Sequence, residues 1–88
     1  MEIEFDPAKA DANFKKRGVS FDEAASVLLD PMALGFEDPD AESEARWVLV
    51  GMSGHARLLT VVYTLRDENC IRLISARKAT RKEVNQYA

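Results

Sequence analysis

The sequence predicts an α+β domain, with an N-terminal strand and two helices packed on an antiparallel β-sheet and a short C-terminal helix closing the chain. Three observations predict it. Two helix starts, Asp6-Pro7 and Ser20-Phe21-Asp22-Glu23, lie close together near the N-terminus. Four strand-like stretches with short turns between them then follow in succession. Thr80-Arg81-Lys82-Glu83 finally opens a short helix. With 88 residues the chain forms one core, so a single domain spans 1–88.

Each element has a local reason. Ile3 and Phe5 alternate with Glu2, Glu4 and Asp6, the period of a strand with one face inward. Asp6 caps a helix with Pro7 at its first position, and Gly18 stops it. Lys15, Lys16 and Arg17 in its last turn suit the helix dipole. Ser20 and Glu23 read as a capping box, with Val19 stapled onto Ala24. Phe21, Ala24, Ala25 and Leu28 then form one apolar face, and Asp30-Pro31 ends the helix. The strand stretches are Met32–Phe36, Arg46–Met52, Arg57–Leu65 and Cys70–Ala76. An acidic loop, Glu37–Ser43, and a glycine-containing turn, Gly51–His55, lie between them. Their short spacing favours an antiparallel meander with the helices on one face.

Composition narrows the function classes. Hydrophobic residues make up 47% and charged residues 31%, a globular balance. No apolar stretch is long enough to span a bilayer, and the acidic N-terminus lacks a signal-peptide core, so a cytoplasmic protein is expected. Cys70 is the single cysteine and His55 the single histidine, which excludes an internal disulfide and disfavours a structural zinc site. There is no glycine-rich phosphate loop, no nucleophile elbow and no carboxylate cluster with metal-ligand spacing, so neither cofactor nor metal is expected.

Charge is distributed unevenly. Residues 1–44 carry a net −8 and residues 45–88 a net +5. The cations gather at "IRLISARKATRKE", where an apolar strand runs into Arg77, Lys78, Arg81 and Lys82. Arg81 and Lys82 occupy the first turn of the last helix, where the dipole favours anions by roughly 0.3–1 kcal/mol per charge. Two readings fit. Glu83 and the acidic half neutralise these charges, or the corner binds an external anion such as phosphate through guanidinium forks and free N–H groups. Arg46, Arg57, Arg66 and Arg72 add further cations on the strands. Glu44 and Arg46, two apart on a strand, share a side and form either a surface ion pair or an acid/base carboxylate with its orienting cation. His55 reads as an exposed turn residue, Tyr63 as a packing residue, and Tyr87 as a cover for the sheet edge or a stacking surface for a base.

The order "FDPAKADANFKKRGVSFDEAASVLLDP", "EARWVLVG", "RLLTVVYT" and "IRLISARKATRKE" covers nearly the whole chain and resembles the BrnT toxins, above all in the SARKAT run and the N-x-x-K-x-G-V-S-F element. The resemblance implies a RelE-like α+β fold and a small ribonuclease of a type II toxin–antitoxin system that arrests translation. It implies a BrnA-like antitoxin with a DNA-binding domain, operator DNA reached through that antitoxin, and a homodimer within a toxin–antitoxin heterotetramer. It gives Arg77 and Lys78 from SARKAT, and Glu44 and Arg46 from an E-x-R element, as catalytic candidates; the remaining cations of the charge reading, Arg57, Arg72, Arg81 and Lys82, are the RNA-binding candidates. Arg17 stands where the family usually has histidine; arginine stays protonated and so holds phosphate without transferring protons.

The expected reaction is metal-independent cleavage of RNA by its own 2′-hydroxyl. Glu44 is the candidate base, Arg77 and Lys78 stabilise the phosphorane, Arg46 positions it, and Lys78, Tyr63 or His55 protonates the leaving group. The alternative is a catalytically weak module that grips RNA or the antitoxin and acts as co-repressor.

Overall fold

The computed structural model describes residues 2–42 and 44–87. Ser43, at the expected end of the acidic loop, lies outside the described residues. The elements run β1 (Glu2–Glu4), α1 (Pro7–Arg17), α2 (Phe21–Val27), β2 (Leu34–Glu37), β3 (Trp47–Met52), β4 (Leu58–Asp67), β5 (Cys70–Lys78) and α3 (Arg81–Tyr87).

The five strands form one sheet in the order β1-β5-β4-β3-β2. Strands β2 to β5 are the expected antiparallel meander, and the expected α+β class holds. The sheet is mixed, however, because β1 pairs parallel with β5, Ile3 opposite Ile71. A strand that comes first in the chain and docks on the last strand's free edge is invisible to spacing, which reports only sequence neighbours.

Helix starts follow their caps. The Asp6 carboxylate accepts from the Ala8 N–H at 2.9 Å, Pro7 occupies the first turn, and Gly18, at φ 72°, closes α1 by donating its N–H to the Phe14 carbonyl. Ser20 Oγ accepts from the Glu23 N–H at 3.0 Å and starts α2. The reciprocal half of that box is not made, because the Glu23 carboxylate turns away to Arg57 and Ser53. The box at α3 is complete: Thr80 Oγ1 accepts from the Glu83 N–H at 3.2 Å, and Glu83 Oε1 accepts from the Thr80 N–H at 2.8 Å.

The core lies between α2 and the sheet. Val19, Phe21, Ala24 and Val27 meet Leu59, Val61, Ile71, Leu73 and Ala76, all buried. Phe5 packs edge-on against Phe21, ring centroids 5.4 Å apart. At Gly51 an added Cβ would come within 2.9 Å of Val27 Cγ1 and Ala33 Cβ, so glycine is what lets α2 and its following turn approach β3 closely.

Alternation along β4 divides the helices between the two faces. Leu59 and Val61 point to α2, and Thr60 between them points to the other face, where its hydroxyl donates to Glu83 Oε1 of α3 at 2.8 Å. The helices are therefore not all on one side, as the sequence pattern alone favours. Tyr87 does not stack in the open: its hydroxyl donates to Asp30 Oδ2 at 2.7 Å, tying the end of α3 to the turn after α2. The same oxygen accepts from the Met52 N–H at 2.7 Å. These bonds hold the Asp30 carboxyl below its usual range, the Met52 N–H first among them.

Candidate active site

Helix α1 has no buried residue, so it is not held by an apolar stripe. It is held by an amide. Asn13 Nδ2 donates to the Val19 carbonyl at 2.9 Å and the Ala76 carbonyl at 3.0 Å, while its Oδ1 accepts from the Ala76 N–H at 3.2 Å. The side chain thereby satisfies both polar groups of Ala76, as a neighbouring strand would. Just before this point the β4–β5 register slips, Val62 facing Ser75 but Tyr63 facing Leu73, which leaves Ile74 as a bulged residue. The N-x-x-K-x-G-V-S-F element is therefore structural in several positions: Asn13 clamps β5, Gly18 ends α1, Val19 and Phe21 enter the core, and Ser20 caps α2.

Beyond Gly18 the chain builds an ionic cluster under the β3–β4 hairpin. Glu23 is buried, with a side chain only 3% exposed. Its Oε2 accepts from Arg57 Nε at 2.9 Å and from Ser53 Oγ at 2.7 Å, and its Oε1 accepts from Arg57 Nη2. Arg57 Nη2 also donates to the Gly18 carbonyl at 3.3 Å. These partners, Arg57 first, outweigh burial and lower the Glu23 carboxyl to about 2. The same pairing makes the Arg57 guanidinium still harder to deprotonate.

His55 stands over this pair, its Nδ1 3.5 Å from Glu23 Oε1 and its side chain 71% exposed. The hairpin that presents it is tight: the Ser53 N–H bonds to the Arg57 carbonyl at 2.8 Å. Ala56, between His55 and Arg57, has φ 60°, the only positive value at a non-glycine among the described residues. That left-handed conformation costs an alanine roughly 1–2 kcal/mol. Strain of this kind at a turn that presents polar groups is characteristic of functional sites.

The end of β5 lies beside this hairpin. Leu59 faces Lys78, and the Ala79 N–H bonds to the Leu58 carbonyl at 3.0 Å. Lys78 is exposed and has no ion-pair partner among the described residues. Arg77 is different. Its two Nη groups bind the two Glu83 oxygens at 2.7 and 3.0 Å, and Nη1 also donates to the Lys78 carbonyl at 3.3 Å. Arg77 first, with Thr80 and Thr60 assisting, lowers the Glu83 carboxyl to about 2. Of the two readings of this corner, internal neutralisation holds for Arg77, while Lys78, Arg81 and Lys82 remain exposed.

The other sequence candidates lie at the opposite end of the sheet. Trp47 pairs with Tyr63, whereas Arg77 pairs with Thr60. Glu44 and Arg46 precede Trp47, so they lie more than about 10 Å from Arg77 along the strand direction alone. Both are exposed, and they form no ion pair with each other among the described residues. Arg72, opposite Thr64, belongs to their end. Tyr63 packs against the core, and burial pushes its hydroxyl up. The sequence thus yields two separate groups, Arg57, Arg77, Lys78, Arg81 and Lys82 at one end and Glu44, Arg46 and Arg72 at the other.

Sequence reasoning missed Glu23, whose capping-box position concealed its pairing with Arg57, and it ranked His55 low. The signal available was a glutamate in an otherwise apolar helix face, but its partner is 34 residues away.

No helix among the described residues is long and apolar enough to cross a membrane. Comparison with known proteins places the fold. The family model for the ribonuclease toxin BrnT of type II toxin–antitoxin systems matches residues 5–83. No curated protein matches significantly. Among solved structures, the Brucella abortus ribonuclease toxin BrnT superposes with a TM-score of 0.71 at 22% identity, covering 92% of this chain and 99% of that one, which establishes the shared fold. The chain belongs to the BrnT family of type II ribonuclease toxins.

Proposed function

We propose that this chain is a metal-independent endoribonuclease whose reaction centre is the β3–β4 hairpin and the adjoining end of β5. The observation that carries the placement is the convergence of Glu23, His55 and Arg57 from separated stretches of sequence, beside the exposed Lys78. In the reaction the 2′-hydroxyl of RNA attacks the neighbouring phosphorus. His55 takes the hydroxyl proton, with Glu23 stabilising the imidazolium that forms. Arg57 and Lys78 place positive charge near the phosphorane, and Arg77, chelated by Glu83, fixes the strand end that carries Lys78. The Lys78 ammonium gives the departing 5′-oxygen a proton, leaving a 2′,3′-cyclic phosphate and a 5′-hydroxyl.

Glu44, Arg46 and Arg72 are assigned to flanking nucleotides, because the register sets them away from this hairpin. Arg81 and Lys82, exposed at the start of α3, are assigned to the RNA backbone on the near side. A BrnA-like antitoxin is the proposed partner, joining toxin to operator DNA in a heterotetramer in the cytoplasm. Strand β2 supports a mode of capture: it is a sheet edge with Leu34 and Phe36 exposed, suited to pairing with an added strand.

The test is cleavage of RNA in EDTA by antitoxin-free protein, with end-group analysis of the products. His55→Ala is expected to lower kcat by about 10²-fold or more at unchanged RNA affinity. Retention of RNA with no cleavage by the parent chain would instead support the co-repressor reading, which Arg17 in place of the family histidine favours.

A further inference from the structure

The face that α1 turns toward β5 is unusual for a helix lying on a sheet. Positions spaced i, i+3, i+4 and i+7 normally carry the apolar stripe, but here they are Lys9, Ala12, Asn13 and Lys16. Together with Arg17, Ile74 and Ser75 they line a groove between the helix and the strand. The bulged Ile74 and Ser75 form the β5 side, and the Asn13 amide bridges helix to strand within it.

Three cations therefore face one groove. Lys9, Lys16 and Arg17 have no ion-pair partner among the described residues, whereas Lys15 on the same helix, outside the groove, pairs with Asp11 at 3.0 Å. The helix dipole accounts for cations in the last turn, but Lys9 is in the first turn, where the dipole opposes it. The groove adjoins the hairpin, since Gly18, next to Arg17, accepts from Arg57 Nη2.

We propose that this groove is a binding track for the phosphate backbone of RNA running from the reaction centre, an assignment that rests on the ribonuclease reading above. Lys9 and Lys16 are about 10 Å apart along the helix, a span that engages more than one phosphate of an extended strand. Both Asn13 donor bonds are spent on backbone carbonyls, so this amide has no hydrogen left for reading a base edge. The track therefore grips without selecting sequence, as backbone contacts do.

The experiment measures binding and cleavage separately. Binding is followed with a 2′-O-methyl RNA, which has no attacking hydroxyl, across a salt series; cleavage is followed on natural RNA. The triple variant Lys9→Gln/Lys16→Gln/Arg17→Gln is expected to bind at least about tenfold more weakly near 0.1 M salt, with a log–log salt slope shallower by roughly 1.4–2, the value for two to three phosphates on a single strand. Lys15→Gln, which removes one charge from the same helix outside the groove, is expected to change affinity less than about twofold. Circular dichroism at the assay temperature checks that both variants are folded. An unchanged slope in the triple variant, or a per-charge loss equal to that of Lys15→Gln, overturns the track. Unchanged RNA binding with weakened antitoxin binding also overturns it, and assigns the groove to an acidic protein segment. If the parent chain binds through the groove but leaves natural RNA intact, the ribonuclease reading fails and the track stands.

Discussion

Glu23 and Arg57, 34 positions apart, are joined by a forked ion pair in which Nε and Nη2 each meet a different carboxylate oxygen. The pair fastens α2 to the start of β4 and supports the hairpin from which His55 projects. A carboxylate this buried is tolerated because Arg57 and Ser53 satisfy both oxygens.

Breaking the pair from one side strands the other charge. Arg57→Met leaves Glu23 buried without its cation and is expected to destabilise the fold, read as a lower urea midpoint. The double variant Glu23→Leu/Arg57→Met removes both charges and should recover most of that loss. A double variant as unstable as the single one would show that desolvation of an orphaned carboxylate is not the cause.

Acid stability follows from two carboxyls. Glu23 and Glu83 both lie near about 2 in the folded chain against 4.5 without their partners. A depressed carboxyl binds its proton more readily in the unfolded chain, so stability falls as pH is lowered. The contribution is complete above about pH 4.5 and is lost as pH falls toward 2. Unfolding free energy should therefore drop between these values, and the drop should shrink by about half in Glu83→Gln, which keeps only the Glu23 transition. A pH-independent midpoint across this window would contradict both pairings.

Asn13 acts as a substitute strand for Ala76. Asn13→Ala leaves the Ala76 N–H and carbonyl and the Val19 carbonyl without their partner. The expected loss is about 1–3 kcal/mol, with faster amide exchange at Ala76 than in the parent chain. Asn13→Asp keeps an acceptor for the Ala76 N–H but removes both donors, so it should rescue that amide's protection and not the stability.

Gly51 tests the contact between α2 and β3. A methyl group there would sit 2.9 Å from side-chain carbons of Val27 and Ala33. Gly51→Ala should cost about 1–3 kcal/mol in thermal or urea unfolding. Gly54→Ala, in the same hairpin region but 3.6 Å from Ser26 at its nearest, should cost less.

Much of the fold was legible because its determinants are local. Asp6-Pro7, Ser20, Gly18 and Thr80 each act within a few residues, and each sits where its cap was expected. The meander was legible because successive strands joined by short turns pair with their neighbours. The site was less legible. Glu23 looked like a capping glutamate until Arg57 claimed it, whereas Glu83, with the same local pattern, completes its box and also holds Arg77.

The sequence by itself determined the helix starts, the antiparallel strands, the gathering of cations at the end of β5 and, through its motifs, membership of the BrnT family, whereas α2 ends at Val27, short of the expected Asp30-Pro31 stop. Those depend on short-range backbone chemistry and on residue order. Only the tertiary structure decided that β1 closes the sheet in parallel, that α3 lies on the face away from α2, and that Arg57 and His55 both meet Glu23. Each of these depends on which distant group satisfies a buried charge or a free strand edge. Burial settles that choice only once the chain has folded, because desolvation penalises every arrangement that leaves such a group unpaired.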